Sequence, residues 1–256
     1  GLLVMNGGSM TIDGKDTTIH HNCTSGSSGE YGLKAYDSSS SIHLASSLTI
    51  EMISKNNGGG GNHGGEGTIK KKRSQEQIMS CIDKEGRLRR LRVTSGVNSL
   101  KNAVYEAHIF GITDIFLLNG EHDEQGEYVN IDYSISIVGE SREHCIVMGG
   151  LFMNGKKEDD VNVSNLTLRE SKADGVRGER GASMHLDNVS VENSEYNGVV
   201  VIGTKRSTMK NCNVSHSKLS GLRVGTGGVM TIDGKDTTIH HNCTNGISSD
   251  YGLCTN

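Results

Sequence analysis

The sequence contains no proline, no tryptophan and only three phenylalanines among its 256 residues. Hydrophobic residues make up 33% of the chain, which is low for a globular core. Because large aromatic side chains are nearly missing, Val, Ile, Leu and Met have to fill many small layers. Glycine is abundant, with 35 residues, and with Ser, Asn and Asp it interrupts the short apolar runs by frequent turns. This profile favours a solenoid over a helical bundle.

Long apolar runs and paired cysteine motifs are also missing. No run approaches the roughly 18 apolar residues of a membrane-spanning helix, so no membrane span is expected. The six cysteines show no CxxC spacing, so buried thiols are the default interpretation and the redox compartment stays open. An extracellular or cell-surface location is compatible with this composition.

The charge pattern favours no particular partner. The net charge is −4, and the basic residues concentrate between positions 70 and 92. No aromatic residues are interleaved there to stack on bases. A solvated linker and edge strand explain the basic stretch, and we expect no nucleic-acid partner.

The strongest positive signal is an internal repeat. Residues 230–244, MTIDGKDTTIHHNCT, repeat residues 10–24 letter for letter at an offset of 220 residues. The match continues into the flanks, where 31–33 (YGL) aligns with 251–253. The chain therefore carries parts of two copies of one unit.

A shorter period lies within the second copy. Gly175, Gly198 and Gly221 each precede an apolar residue and are spaced by 23 residues. A period of about 20 to 25 residues with two or three short strands per turn is typical of a parallel β-helix. Aligning the coils predicts an inward column of Val161, Met184, Met209 and Met230. It also predicts a corner column of Asn165, Asn188 and Asn213, whose amides could hydrogen-bond along the axis.

One amphipathic helix precedes these coils. Residues 99–108, SLKNAVYEAH, place Leu100, Val104 and Ala107 on one face, and Gly111 ends the helix. Such a helix covers the first coil of a β-helix and protects its core and strand edges. The sequence thus predicts an all-β, right-handed parallel β-helix with one N-terminal capping α-helix at about 98–109.

The predicted organisation has three parts. Residues 1–57 are the C-terminal coils of one β-helix unit, 58–77 a Gly-rich and basic linker, and 78–256 a second unit with the capping helix. Because a few isolated coils rarely fold alone, we expect the first segment to pack on the second unit or on a neighbouring chain. Head-to-tail self-association is one form of the second alternative.

The stretch from Leu100 to Gly150 resembles a known superfamily. Its helix is followed by IFLLNGEHDEQGEYV and then by YSISIVGESREHCIVMGG. In this order it looks like the opening of right-handed β-helix proteins of the pectin-esterase and pectate-lyase type. From about Arg92 the chain also looks like uncharacterised tandem β-helix proteins of diatoms and related algae. The resemblance implies the fold but no single activity, because the superfamily includes hydrolases, lyases, esterases, epimerases and non-catalytic members.

The acidic pair Asp159 and Asp160 is the candidate catalytic set. Sugar hydrolases of the resembled fold use paired Asp residues as general acid and base. Those pairs are accompanied by a third Asp, a His-Gly and an Arg-x-Lys on adjacent coils, and the sequence lacks this set. Solvated turn charges are the preferred interpretation of Asp159 and Asp160.

The candidate metal ligands are His240, His241 and Cys243, in a segment that also occurs at 20–23. Adjacent residues of a strand point to opposite faces, so only one His and the Cys are expected to converge. That is fewer than the usual three or four ligands of a zinc site, and a turn position is the preferred interpretation. We expect no cofactor.

Two classes of function stay open. A non-catalytic binding or structural module, with polysaccharide or protein as its partner, is preferred because the familiar catalytic sets are missing. The alternative is a carbohydrate-active enzyme, a polysaccharide lyase, epimerase or hydrolase, with an unfamiliar set of residues.

Overall fold

A computed structural model describes residues 1–12, 16–44, 48–71, 90–204, 206–246 and 251–255. The chain divides into two compact units, Gly1–Arg87 and Leu88–Asn256. Each unit consists mainly of short strands that pair in parallel with the strands of the next coil. Within the described ranges, no helix is long and apolar enough to cross a membrane.

The first unit stacks three coils. Its strands are β1 (Leu2–Val4), β2 (Ser9–Ile12), β3 (Ile19–His20), β4 (Tyr31–Ala35), β5 (Ser41–Leu44), β6 (Ser54–Lys55), β7 (Gly61–Gly64) and β8 (Thr68–Lys71), with helix α1 (Ile50–Ile53) before β6. The stacking orders are β1-β4-β7, β2-β5-β8 and β3-β6. Leu33, Ile42, Leu48 and Ile53 are fully buried between the coils. Short aliphatic side chains therefore build this core, as the composition predicts.

The described part of the predicted linker 58–77 is a coil of the first unit. In β7, Gly61 pairs with Tyr31, and in β8, Ile69 pairs with Ile42. A Cβ atom at Gly64 would overlap the Tyr31 ring, so glycine is needed there for close packing. The linker prediction is thus corrected for residues 58–71, because a high glycine content permits close packing as well as flexibility. Residues 72–77 lie outside the described residues.

The second unit has longer strands and a capping helix. Its elements are β9 (Leu91–Val93), β10 (Gly96–Val97), α2 (Ser99–Phe110), β11 (Asp114–Leu117), β12 (Gly120–Ile131), β13 (Ile135–Gly139), β14 (Cys145–Met153), β15 (Asp160–Arg169), β16 (Val176–Gly178), β17 (Ser183–Glu192), β18 (Val199–Ile202), β19 (Ser207–Lys210), β20 (Asn213–Ser215), β21 (Leu222–Gly225), β22 (Met230–Asp233), β23 (Thr238–His240) and β24 (Leu253–Thr255).

The stacked strands of the second unit form three faces. Face A contains residues 120–123, 145–148, 166–169, 189–192, 213–215 and 238–240. Face B contains residues 128–131, 150–153, 176–178, 199–202, 222–225 and 253–255. Face C contains residues 91–93, 114–117, 135–138, 160–164, 183–187, 207–210 and 230–233. Side chains alternate between the core and the outer surface of each face.

Helix α2 begins near the predicted position and caps the first coil. Leu100, Val104 and Ala107 are buried, as its apolar face predicts. The N-cap residue Asn98 makes no side-chain capping bond. Instead the carboxylate of Glu124, which is 2% exposed, accepts the backbone N–H of Leu100 at 2.8 Å. A charged side chain from the next strand thus satisfies the positive end of the helix.

The 23-residue glycine period has a steric cause. A Cβ atom at Gly175 would lie 2.3 Å from Cγ1 of Val191, and one at Gly198 would lie 2.3 Å from Cγ1 of Val214. Successive coils therefore require glycine at the same position, because an inward valine of the next coil occupies the space that a side chain would need.

The predicted inward column is wrong at Met209. Val161 pairs with Met184 as expected, but Met209 pairs with Leu186, and Ser207 takes the position next to Met184. The predicted alignment is two residues out of register. A shift of two preserves the alternation of inward and outward side chains, so the apolar pattern could not reveal it.

The corner column of asparagines is corrected for the same reason. Asn165 and Asn188 both have φ 55, and Asn211, with φ 51, occupies the next corner position. Asn213 instead pairs with Ser190 on face A. The corner needs a left-handed backbone, which Asn tolerates better than other side-chain-bearing residues.

Both units are therefore right-handed parallel β-helical coils, and the all-β fold with a capping helix is confirmed.

Candidate functional site

Face B carries a groove on its outer surface. The groove has a volume of about 210 Å³ and is lined by Arg177, Asn197, Val200, Ile202, Arg223 and Thr226. Concave sites with an apolar floor and a few polar groups are the usual places for ligand binding. This groove is the candidate functional site.

The parallel register builds the groove. Arg177, Val200 and Arg223 pair in successive strands, so they form one outward column along the coil axis. Phe152 precedes Arg177 in the same column. Since neighbouring strands are about 4.8 Å apart, the two arginine backbones are separated by roughly 10 Å. The Val200 side chain between them is only 1% exposed and forms the floor.

Two carboxylates hold Arg177 in place. Its Nη1 donates to Oδ2 of Asp174 at 3.2 Å, and its Nε and Nη2 both donate to Oε2 of Glu179 at 3.1 Å. Burial alone would lower the pKa of Arg177, but the bonds to Asp174 and Glu179 outweigh it and raise the pKa. The guanidinium is thus a fixed cation at the wall of the groove.

Asp174 joins this wall to the neighbouring coils. Its side chain is 4% exposed, and Oδ1 accepts the backbone N–H of Asn197 at 3.0 Å and its Nδ2 at 2.8 Å. Oδ2 also accepts the Tyr128 hydroxyl at 3.2 Å. Burial, together with the charge of Asp174, raises the pKa of Tyr128, so this hydroxyl stays protonated and donates.

Arg223 is the exposed counterpart of Arg177 on the other side of Val200. It is exposed, and within the described residues no hydrogen bond or ion pair of its guanidinium to protein is found. Its donors are therefore available to a ligand in the groove. The Oδ1 of Asn197, by contrast, already accepts the backbone N–H of Ser220 at 3.2 Å.

Sequence reasoning missed this site although a signal was present. Arg177, Val200 and Arg223 follow one another at the 23-residue coil period, as do Asp174 and Asn197. Extending the period from glycines to every outward position would have placed the two arginines in one column.

Asp159 and Asp160 lie outside the groove and have different partners. Asp159 closes a turn: its Oδ2 accepts the backbone N–H of Lys156 at 2.7 Å, and its Oδ1 accepts the hydroxyl of Ser134 at 3.2 Å. Asp160 begins a strand of face C, and its Oδ1 forms an ion pair with Nη2 of Arg206 at 3.1 Å. The two carboxylates therefore have different partners and do not form a pair that acts on one substrate atom.

Asp160 also belongs to a short polar chain. His185 Nε2 lies 3.4 Å from Oδ1 of Asp160, and His185 Nδ1 lies 2.9 Å from the hydroxyl of Thr208. No prediction from the sequence concerned His185 or Arg206. The coil period does relate His185 to Thr208, because these two residues are 23 positions apart and pair in register.

His240 and His241 converge, contrary to the expectation that they point to opposite faces. Their Nδ1 atoms are 2.6 Å apart. His241 has a left-handed backbone with φ 51, so the strand ends at His240 and the alternation does not reach His241. The same arrangement recurs at His20 and His21, whose Nδ1 atoms are 2.7 Å apart.

Cys243 does not complete a three-ligand centre with these histidines. Like His241 it has a positive φ, 64°. Among the described His, Cys, Asp and Glu side chains, no group of three is arranged to hold a metal ion.

Comparison with known proteins agrees with the fold. Residues 149–256 match the family model for the right-handed beta helix region, which covers less than half of the chain. No curated protein and no solved structure matches the chain.

Proposed function

We propose that this right-handed β-helix is a non-catalytic binding module and that the groove on face B takes a glycan chain. The observation that carries the proposal is the groove itself, in which the half-buried Ile202 supplies apolar surface beside the guanidinium groups of Arg177 and Arg223. Sugar rings present apolar C–H faces and hydroxyl edges, and such a surface fits both.

The orientation of the groove suits an extended chain. The column runs along the coil axis, and Phe152 continues it on the side of Arg177. A sugar ring over Phe152 would bring its hydroxyls within reach of Arg177 and Glu179. A second ring over Val200 would lie between the two arginines.

The hydrogen bonds of the carboxylates beside the groove support binding without catalysis. Asp174 accepts four hydrogen bonds, and Glu179 accepts two from Arg177. A general acid or base has to reach the proton that it transfers, and both oxygens of Asp174 and Oε2 of Glu179 are already engaged. Tyr128, with its raised pKa, is also a poor base.

One observation favours the alternative, a carbohydrate-active enzyme. The chain Asp160–His185–Thr208 on face C aligns a carboxylate, an imidazole and a hydroxyl, which is the order of groups in hydrolases that activate a hydroxyl. We also propose a finer likeness of this chain to right-handed β-helix proteins of the pectin-esterase and pectate-lyase type, and to tandem β-helix proteins of diatoms and related algae, which by itself favours neither function.

A glycan array combined with turnover assays tests both functions. We expect the purified chain to bind a glycan without cleaving or modifying it, and Arg223→Ala to weaken binding at least tenfold. Lys210→Ala, an exposed change on face C, serves as the matched control and should leave binding unchanged.

Three other results would contradict the proposed function. Turnover that disappears in His185→Gln or Asp160→Asn would establish the enzyme instead. Glycan binding that survives Arg223→Ala would move the site away from the groove. Absence of any glycan binding, with capture of a protein partner through the same groove, would replace the glycan by a protein.

A further inference from the structure

The paired histidines of the repeated segment form one local structure in both units. His240 and His241 have ring centroids 4.8 Å apart at 87°, and His20 and His21 have ring centroids 5.0 Å apart at 89°. All four side chains are exposed. We propose that each pair binds one divalent transition-metal ion of the nickel, copper or zinc class through its two Nδ1 atoms.

The backbone preorganises each pair. His21 and His241 have φ 53 and 51, so the second ring turns back toward the first instead of pointing to the opposite face. The Nδ1 atoms then lie 2.7 and 2.6 Å apart. A metal ion about 2.0 to 2.1 Å from each nitrogen needs them roughly 3 to 3.4 Å apart, depending on its geometry, so the rings have to separate by about 0.3 to 0.8 Å.

Hydrogen bonding around His240 leaves its Nδ1 as the ligand atom. Asn213 donates through Nδ2 to the Ser190 hydroxyl at 3.2 Å, and its Oδ1 accepts the Thr238 hydroxyl at 3.0 Å. The same Oδ1 lies 2.8 Å from His240 Nε2, so Nε2 carries the proton and donates it. In the neutral ring the Nδ1 lone pair is then free for a metal.

Metal binding requires a tautomer change at His241 besides the ring movement. Without metal, His241 donates its Nδ1–H to the lone pair of His240. With metal, the proton of the neutral His241 ring moves to Nε2, and the metal takes its place between the two nitrogens. No net proton is released when both rings are neutral. Because no third His, Cys, Asp or Glu of the described chain joins the pair, water completes the coordination.

The pair at 240–241 has orienting partners. His216 stacks on His241 with ring centroids 5.4 Å apart and an interplanar angle of 5°. With Asn213, it orients this pair. Orienting partners commonly change metal affinity by about 10- to 100-fold, so removing His216 should weaken the site at 240–241.

Isothermal titration of the full chain with NiCl2 at pH 7.5 tests the proposal. We expect two ions per chain. His241→Asn should remove the site at 240–241 and His21→Asn the site at 20–21. Asn tolerates the left-handed backbone at both positions, so these variants keep the fold, which circular dichroism checks.

Further variants separate the proposal from other modes of binding. Cys243→Ser should leave both sites intact, and loss of the site at 240–241 in this variant would make the thiol a ligand and overturn the proposal. His216→Asn should weaken only the site at 240–241. Unchanged stoichiometry in the double variant His21→Asn, His241→Asn would also overturn it.

Discussion

The side-chain amide of Asn188 donates a 2.9 Å hydrogen bond to the amide oxygen of Asn165, one coil earlier. Both residues have φ 55, so each combines a ladder hydrogen bond with a left-handed corner. We predict that Asn188→Ala lowers the free energy of unfolding by about 2 kcal/mol, from a lost hydrogen bond and backbone strain of about 1 kcal/mol each. Urea unfolding measures this change.

Asn188→Gly is the matched control for that prediction. Glycine accepts a positive φ without strain but has no amide, so only the hydrogen-bond part should be lost. Equal destabilisation by Ala and Gly would mean that the corner stores no backbone strain.

The buried carboxylate of Asp174 should be among the most sensitive positions of the second unit. Asp174→Ala removes the acceptor of Asn197 and Tyr128 and one of the two carboxylates bound to Arg177, and removing a buried, paired carboxylate costs about 3 kcal/mol. Urea unfolding followed by circular dichroism should show an earlier transition.

Lys218→Ala provides the comparison for Asp174→Ala. Lys218 pairs with Glu195, but the two side chains are 52% and 48% exposed. Exposed ion pairs contribute at most about 1 kcal/mol, so this variant should unfold close to wild type. A larger effect of Lys218→Ala than of Asp174→Ala would contradict the inferred role of burial.

Burial should protect Cys145 from alkylation. The residue is 0% exposed, and burial raises the pKa of its thiol from 9.0 to about 11. At pH 8.5, iodoacetamide should modify the partly exposed Cys23, Cys243 and Cys254 and spare Cys145, as mass spectrometry of the peptides would show.

The raised pKa of the Cys145 thiol should also lower the free energy of unfolding at alkaline pH. Between pH 9 and about 11 the unfolded thiol ionises while the folded one keeps its proton, so stability falls as the pH rises through this range. In Cys145→Ala, the free energy of unfolding should depend less on pH in this range. An unchanged pH dependence in this variant would assign it to other groups.

The Asp37 carboxyl of the first unit should titrate at an unusually low pH. Hydrogen bonds from Ser39, Ser40 and the backbone of Asn6 lower the pKa of this carboxyl from 3.8 to about 2. Its contribution to stability is present above pH 3.8 and is lost as the pH falls toward 2. The Asn6 amide proton, which donates to Oδ2 at 2.7 Å, should titrate with a midpoint near 2. A midpoint near the ordinary value of 3.8 would contradict these hydrogen bonds.

The fold was predictable because a β-helix repeats the same local solution in every coil. Gly175, Gly198 and Gly221 reveal the period by themselves, since each faces an inward side chain of the next coil. The amphipathic pattern of Leu100, Val104 and Ala107 revealed the capping helix in the same way, because both signals are local in sequence.

The candidate sites were less predictable because they depend on contacts between coils. Asp160 was found as one of an acidic pair, but its partners His185 and Arg206 come from the following coils. For His240 and His241, the alternation of strand residues predicted side chains on opposite faces. The left-handed backbone at His241 turns its ring toward His240 instead.

The sequence alone determined the parallel coils, their 23-residue period and the existence of a helix before them, because these follow from the spacing of glycines and apolar residues along one chain. Only the tertiary structure decided the register of Met209 and Asn211, and only it placed Arg177 and Arg223 on either side of Val200. The physical reason is that a shift of two residues leaves every side chain on the same face. The apolar pattern is then equally satisfied, and the close fit of one coil on the next selects the register.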